Sequence, residues 1–156
     1  MSGKSVSLQE GEGRSFWMLN GLYTVKASTE ETGGEATIME MTMPEGWGPP
    51  THRHDCGESM YVLEGTVRLH MHGETTDYGP GSFFHIPAGT LERPEPIGTA
   101  RVLAIYVPGG IDHFFAEAGA PADSNTLPPL VNEPPDVQRL AAIGERYGVH
   151  MGPPSA

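Results

Sequence analysis

The stretch GWGPPTHRHDCGE, from Gly46 to Glu58, holds the residues best suited to chemistry. His52 and His54 stand two apart, and on a β-strand residues at that spacing project from the same face. Their imidazoles can therefore aim at one point. Glu58 has the same parity, and a bend at Gly57 can bring its carboxylate to that point. Two neutral imidazoles and one anionic oxygen suit a divalent first-row metal and leave coordination positions open. Open positions are what a metal needs to bind substrate, oxygen or water. A His-x-His pair also occurs on exposed edge strands. The alternation, the following Glu58 and the flanking glycines are what make this pair a candidate metal site.

Strands must position such a cluster, and the chain carries strand patterns on both sides of it. Residues 19–28 and 36–43 read as strands, with a Thr/Gly turn region over 30–35. In the second, Met39, Met41 and Met43 share one face and Ile38 and Glu40 the other, the two-residue alternation of a strand. A Gly/Pro-rich loop, 44–51, leads into the histidines. Residues 58–64 follow, Gly65 reads as a turn, and 66–72 place Val67, Leu69 and Met71 on one face. Residues 72–76 read as a hairpin turn. Residues 83–86 form a short strand stopped by Pro87 and Gly89. In 101–107, Leu103, Ile105 and Val107 alternate against Val102, Ala104 and Tyr106.

Two helices are expected next. Asp112 is the N-cap of the first and Gly119 its stop. The second covers 134–147, with Asp136 as cap, Gly148 just past the end, and an apolar stripe of Val137, Leu140, Ala141 and Ile143. Between them, residues 120–132 read as irregular surface chain. With no internal repeat, the expectation is one barrel domain over 1–156: a core of about 14–110 and a C-terminal helical extension of about 111–150.

Composition agrees with this reading. The 156 residues suit one ordinary domain. The 21 glycines and 15 prolines are spread along the chain, as short strands and tight turns require. A net charge of −11 makes nucleic acid and anionic membrane surfaces poor partners. Cys56 is the one cysteine, which rules out an internal disulfide and fits a reducing compartment. The N-terminus has no apolar segment of signal-peptide length. No stretch approaches the roughly 20 apolar residues of a membrane span. A cytoplasmic protein is expected.

At this point the chain resembles the cupins. Gly46, His52, His54, Glu58 and Gly65 match their first motif, G-x5-H-x-H-x3-E-x6-G, at every spacing. Gly81, Pro87 and Gly89 match the second, G-x5-P-x-G-x2-H-x3-N. The likeness runs from about Gly11 to Gly119, which resembles single-domain cupins related to quercetin dioxygenases. It includes KASTEETGG, YVLEGTVRL, GPGSFFHIPAGT and AIYVPGGIDHFF. The resemblance implies an all-β double-stranded β-helix, or jelly roll, with a metal inside. It implies a dioxygenase in which Glu58 serves as ligand and as base. It also implies a homodimer paired through edge strands.

The chain departs from that family where the second motif should end in a histidine ligand. Position 92 is Glu92, and the downstream asparagine is replaced by Pro96. Three readings stand: Glu92 replaces the histidine as fourth ligand, the metal takes only three protein ligands, or the site has become a metal-free pocket. A second carboxylate neutralises a divalent cation and favours ions such as Mn²⁺ or Fe²⁺. Alternatively, Glu92 pairs with Arg53 or Arg93 at the surface.

His85 either lines the pocket, compensating for the missing histidine, or is a structural histidine of the wall. His70 and His72 alternate with inward apolar residues and are expected outside. His113 is structural, and His150 lies near a mobile C-terminus. Cys56 is a spacer rather than a ligand. Trp47, Met60, Tyr61, Phe83 and Tyr106, with Met39 and Met41, are core residues that as a group can wall a substrate pocket.

The first functional reading is a metal-dependent dioxygenase acting on a phenolic or enolic small molecule. Its one divalent transition metal (Fe, Mn, Ni, Co or Zn) sits on His52, His54, Glu58 and Glu92. The alternatives are a non-redox cyclase, isomerase or lyase, and a metal-poor small-molecule binding module.

Overall fold

The computed structural model describes residues 2–153. Strands β1 (Arg14–Met18) and β2 (Gly21–Ala27) form a hairpin, turned by Leu19 and Asn20, both at positive φ. The expected strand over 19–28 thus begins two residues later, after this turn. Strand β3 (Thr37–Met43) buries Thr37, Met39, Met41 and Met43 and leaves the intervening residues partly exposed, the alternation its sequence carries. Strand β4 (His52–His54) follows the Gly/Pro loop. Then come β5 (Gly57–Met71), β6 (Glu74–Tyr78), β7 (Phe83–Ile86) and β8 (Glu92–Val107).

Every pairing is antiparallel, and β5 and β8 are the long elements that turn the sheet into a jelly-roll barrel. The end of β8 nearest Val107 pairs with β3 on one side and with the start of β5 on the other. Its first half pairs with the second half of β5, from Thr66↔Ile97 to Met71↔Glu92. The barrel core is apolar: Met39, Met43, Val62, Val67, Ala100, Val102 and Ala104 are completely buried.

Gly65 is not a turn between two strands. It sits at a bulge inside continuous β5, where the register shifts between Val62, Glu64 and Thr66. Its φ is 72°, and a Cβ there would lie 2.2 Å from the carbonyl oxygen of Thr99. Bending the strand thus needs a residue without a side chain. The first half of β8 was also not expected, because Pro94 and Pro96 argue against a strand. On the side away from β5, the only strand pairing of that half among the described residues is with β4 at Glu92, so a missing N–H on that side breaks no ladder.

The C-terminal part is less purely helical than expected. Helix α1 (Ile111–Ala118) begins after Gly110, and Asp112 lies inside its first turn rather than at the cap. Asp112 is buried. Its carboxylate accepts from the Thr29 N–H (3.2 Å), the Thr29 hydroxyl and the Thr37 hydroxyl (3.2 Å), which ties the helix to the barrel. Strand β9 (Ala120–Pro121) pairs with β1. Helix α2 (Val137–Arg146) is capped as expected by Asp136, which accepts from the Arg139 N–H at 3.0 Å. Its buried face is Leu140, Ile143 and Gly144, while Val137 is exposed. Strand β10 (Val149–Met151) then pairs with β4, Val149 opposite His54 and Met151 opposite His52. His150 is therefore held in a strand, 2.9 Å from both Asp55 and Glu145. No helix among the described residues is long and apolar enough to cross a membrane.

Candidate metal centre

Strand alternation and one cross-strand pair build the site. On β4, His52 and His54 point into the barrel while Arg53 between them is exposed. Glu92 opens β8 and pairs with His52 across the ladder. Glu58, second residue of β5, faces inward from the other side. His52 Nε2 lies 2.8 Å from Glu92 Oε1 and 3.1 Å from His54 Nε2. His54 Nε2 lies 3.7 Å from Glu92 Oε1 and 3.4 Å from Glu58 Oε2. The ligand-type atoms of His52, His54 and Glu92 all fall within 4.8 Å of one another, and Glu58 adjoins them through His54.

These separations match a metal shell. Bonds of about 2.1 Å put neighbouring ligand atoms about 3.0 Å apart in an octahedron and about 3.4 Å apart in a tetrahedron. The bonding state of the atoms points the same way. The His52 Nδ1–H donates to the Pro50 carbonyl at 2.9 Å, which leaves the Nε2 lone pair facing inward. Both Glu92 oxygens and Glu58 Oε1 are buried without a hydrogen-bond partner among the described residues. Acceptors therefore face acceptors, and a cation or a proton is needed between them. The donor set, two imidazoles and two carboxylates, fits a divalent transition metal.

Without such an ion the cluster titrates as a coupled set. Burial pulls the His52 imidazolium down, but the Glu92 carboxylate beside it, helped by Glu58, outweighs burial and raises it to about 9. Burial pushes Glu92 up, and His52 and His54 together overcome this and hold it below the usual carboxylate range. Glu58 is raised, first by burial and then by the charge of Glu92. Tyr106, beside Glu58, holds part of that rise back and is itself raised, chiefly by burial and then by the Glu58 charge.

Glu92 is therefore not a surface residue: its exposure is 0%. Arg53 points outward, and Arg93 pairs with Glu95 at 3.7 Å. Of the expected pocket wall, Trp47, Met60 and Tyr106 line the same cavity as the four polar side chains. Tyr61, Phe83 and His85 do not. They occupy the opposite parity of β5 and β7, with Tyr61 45% and Phe83 59% exposed, and His85 bonds to the Ser59 hydroxyl at 2.9 Å on the outer face. Met60, Phe84 and Ile86 take the inward positions, so a pocket wall cannot include consecutive residues of one strand. His72 is exposed, and His70 pairs with Glu95 at 2.8 Å. Burial pushes the Cys56 thiol up to about 11, with a smaller push from Glu58. Sequence reasoning missed Tyr23, Phe114 and Phe115, and the cover supplied by Leu140, Val149 and Met151 from the C-terminal segment. The alternation of Tyr23 with Val25 was the available signal for the first.

The comparisons agree with this architecture. The family described as "Cupin domain" matches residues 39–108. Quercetin 2,3-dioxygenase of Bacillus subtilis (strain 168) is 28% identical over 124 residues, covering 78% of this chain. The match spans only 36% of that relative's length. Among solved structures, an RmlC-like cupin from Shewanella frigidimarina NCIMB 400 superposes with a TM-score of 0.62 at 14% identity, covering 71% of this chain and 96% of that one. The polyketide cyclase RemF from Streptomyces resistomycificus gives a TM-score of 0.52 at 22% identity, covering 67% and 73%. At these identities the two structures establish a shared fold.

Proposed function

The chain belongs to the cupin superfamily, and from that premise we propose a metal-dependent enzyme that dioxygenates a phenolic or enolic small molecule. The observation that carries this reading is the convergence of His52, His54, Glu58 and Glu92, with unpartnered carboxylate oxygens, in a cavity otherwise lined by apolar and aromatic side chains. The preference for dioxygenation rests on the quercetin 2,3-dioxygenase relative. A divalent Fe, Mn, Ni, Co or Zn ion held there supplies Lewis acidity and open coordination positions.

The chain's own groups divide the remaining work. His52 is held in one tautomer by the Pro50 carbonyl, so its Nε2 is ready as a ligand. Glu58 faces the cavity from β5 and is placed to take a proton from a substrate hydroxyl onto a carboxylate oxygen. Tyr106, beside it, steadies that carboxylate. Met41, Met43, Phe114 and Phe115 exclude water, which strengthens every charge interaction inside.

One observation favours a non-redox variant. Glu92 stands where the family places a histidine, and a second carboxylate neutralises the divalent charge. That suits proton transfer in a cyclase, isomerase or lyase. The outward cross-strand pair Tyr61↔Phe83 supports a homodimer, since exposed apolar patches mark association surfaces. The free Cys56 supports a cytoplasmic location.

The test combines elemental analysis of untagged protein with oxygen uptake on a panel of phenols and enols. Retained metal with oxygen uptake coupled to substrate loss supports dioxygenation. Retained metal with anaerobic turnover moves the assignment to the non-redox variant. Absence of metal under all loading conditions leaves a binding module.

A further inference from the structure

Two buried polar groups in the same cavity have no role in the metal cluster. Tyr23 is 2% exposed and Trp47 is 7% exposed, and both line the cavity that His52, His54, Glu58 and Glu92 line. Neither the Tyr23 hydroxyl nor the Trp47 Nε1–H makes a hydrogen bond of good geometry among the described residues; the two face each other, and the indole N–H offsets part of the rise that burial gives the Tyr23 hydroxyl. Their rings are 6.1 Å apart at 46°. Buried groups of this kind are rare in folded proteins and cost about 1–3 kcal/mol each when left unpaired.

The surroundings fix the pair in place. Gly21 has no positive φ to require glycine, yet a Cβ there would lie 2.7 Å from Trp47 Nε1 and 3.2 Å from Tyr23 Cε2. The indole therefore packs close against the β2 backbone, where a side chain would displace it. Tyr23 is fixed by stacking on Phe115, 4.7 Å between centroids at 28°. The enclosed cavity is small, about 50 Å³. A groove of about 840 Å³ beneath residues 128–135 shares Met18, Leu19 and Trp47 with it, so these three side chains partition the two spaces.

We propose that Tyr23 and Trp47 form a second recognition point, which binds a neutral carbonyl or hydroxyl oxygen of the substrate while its acidic oxygen sits at the His52–His54–Glu58–Glu92 cluster. One oxygen can accept from both the phenol O–H and the indole N–H. The substrate class is thereby narrowed to phenols or enols with a second oxygen on the ring system. Glu45 and Glu133 line the groove and disfavour a negative charge on any part of the ligand that reaches it. This inference rests on the proposed metal-dependent function.

The test is calorimetry of the Zn²⁺-loaded protein with tropolone, an enolic ring, and with each of its ring-monohydroxylated derivatives. At least one derivative should bind roughly tenfold more tightly than tropolone, the value of one or two added neutral hydrogen bonds. That advantage should disappear in Tyr23→Phe and Trp47→Phe, each derivative being compared with tropolone on the same variant. Because the Tyr23 hydroxyl makes no hydrogen bond of good geometry, Tyr23→Phe should melt no lower than the wild type in the absence of ligand. If tropolone binds but no derivative gains, or the gain survives in both variants, the recognition point is overturned and the metal centre stands. A lowered melting temperature in Tyr23→Phe also overturns it, since the hydroxyl then has a structural role. Absence of tropolone binding to the Zn²⁺-loaded wild type overturns the recognition point, while the Zn²⁺ content of that protein decides the metal reading separately.

Discussion

His52 Nε2 and Glu92 Oε1 lie 2.8 Å apart across the β4–β8 ladder, each the first residue of its strand. The contact puts a carboxylate where the family's second motif supplies an imidazole. It also joins two parts of the chain, the histidine loop and the turn after Pro87, at one buried point.

Removing Glu92 should therefore release metal almost as readily as removing a histidine. Glu92→Ala, His52→Ala and His54→Ala should each weaken binding by more than about a hundredfold, while His72→Ala, on the exposed turn, should leave it unchanged. Glu92→His should raise affinity for Zn²⁺, Ni²⁺ or Co²⁺, which imidazole suits. Equilibrium dialysis with elemental analysis decides. Unchanged metal content in Glu92→Ala would remove it from the shell.

The same pair sets a pH dependence in the metal-free protein. His52 is raised from an ordinary value near 6.5 to about 9. A raised group contributes stability that is fully present below about pH 6.5 and is lost as pH climbs through about 9. Glu58 is also raised, so its contribution likewise falls as pH rises above its ordinary range. The two have the same sign. The melting temperature of metal-free protein should fall between pH 6.5 and 9, on the order of 5 °C. Metal-loaded protein should show a smaller fall, because binding displaces the His52 proton. Calorimetry in buffers of different ionisation enthalpy should detect that proton at pH 7.5. A flat melting profile for metal-free protein would contradict the assignment.

The outer face makes a separate prediction. Tyr61 and Phe83 are cross-strand partners on β5 and β7, both exposed. If they join two copies of the chain, Phe83→Glu should halve the mass seen by light scattering at micromolar concentration and leave metal content unchanged. A wild type that is already monomeric would dispose of this face as a dimer contact.

These residues also show where the sequence was legible. The alternation in THRH and in TIMEMTM has only one inward face, so the direction of His52, His54 and the methionines could be read directly. Parity would equally have turned Tyr61, Phe83 and His85 outward, but aromatic character argued for a pocket and hid it. The first half of β8 was illegible because prolines carry a local signal against strands. Only the tertiary fact that β4 meets that half at Glu92 alone removes the objection. Asp112 read as a cap because its spacing fits one; its partners, Thr29 and Thr37, lie 83 and 75 residues away, beyond any local pattern. Burial of Glu92 was undecidable for the same reason, since a carboxylate followed by Arg93 reads equally well as an ion pair at the surface.

Glu58 carries the last prediction, because two roles meet in it. It adjoins the cluster through His54 at 3.4 Å, and Oε1 has no partner among the described residues, while Tyr106 beside it favours the charged carboxylate. Glu58→Gln keeps the shape but removes both the anionic oxygen and the base. If Glu58 acts chiefly as a base, turnover should fall by about a hundredfold or more, the usual value of a positioned general base, while metal content falls much less. If it acts chiefly as a ligand, metal content and turnover should fall together, and excess metal should restore both. Tyr106→Phe separates orientation from chemistry: it should lower kcat with little change in metal content, since the ring that packs against His54 at 5.5 Å is kept and only the hydroxyl beside Glu58 is lost. Full turnover in Glu58→Gln would remove the residue from the mechanism and leave the His52–His54–Glu92 triad as the metal centre.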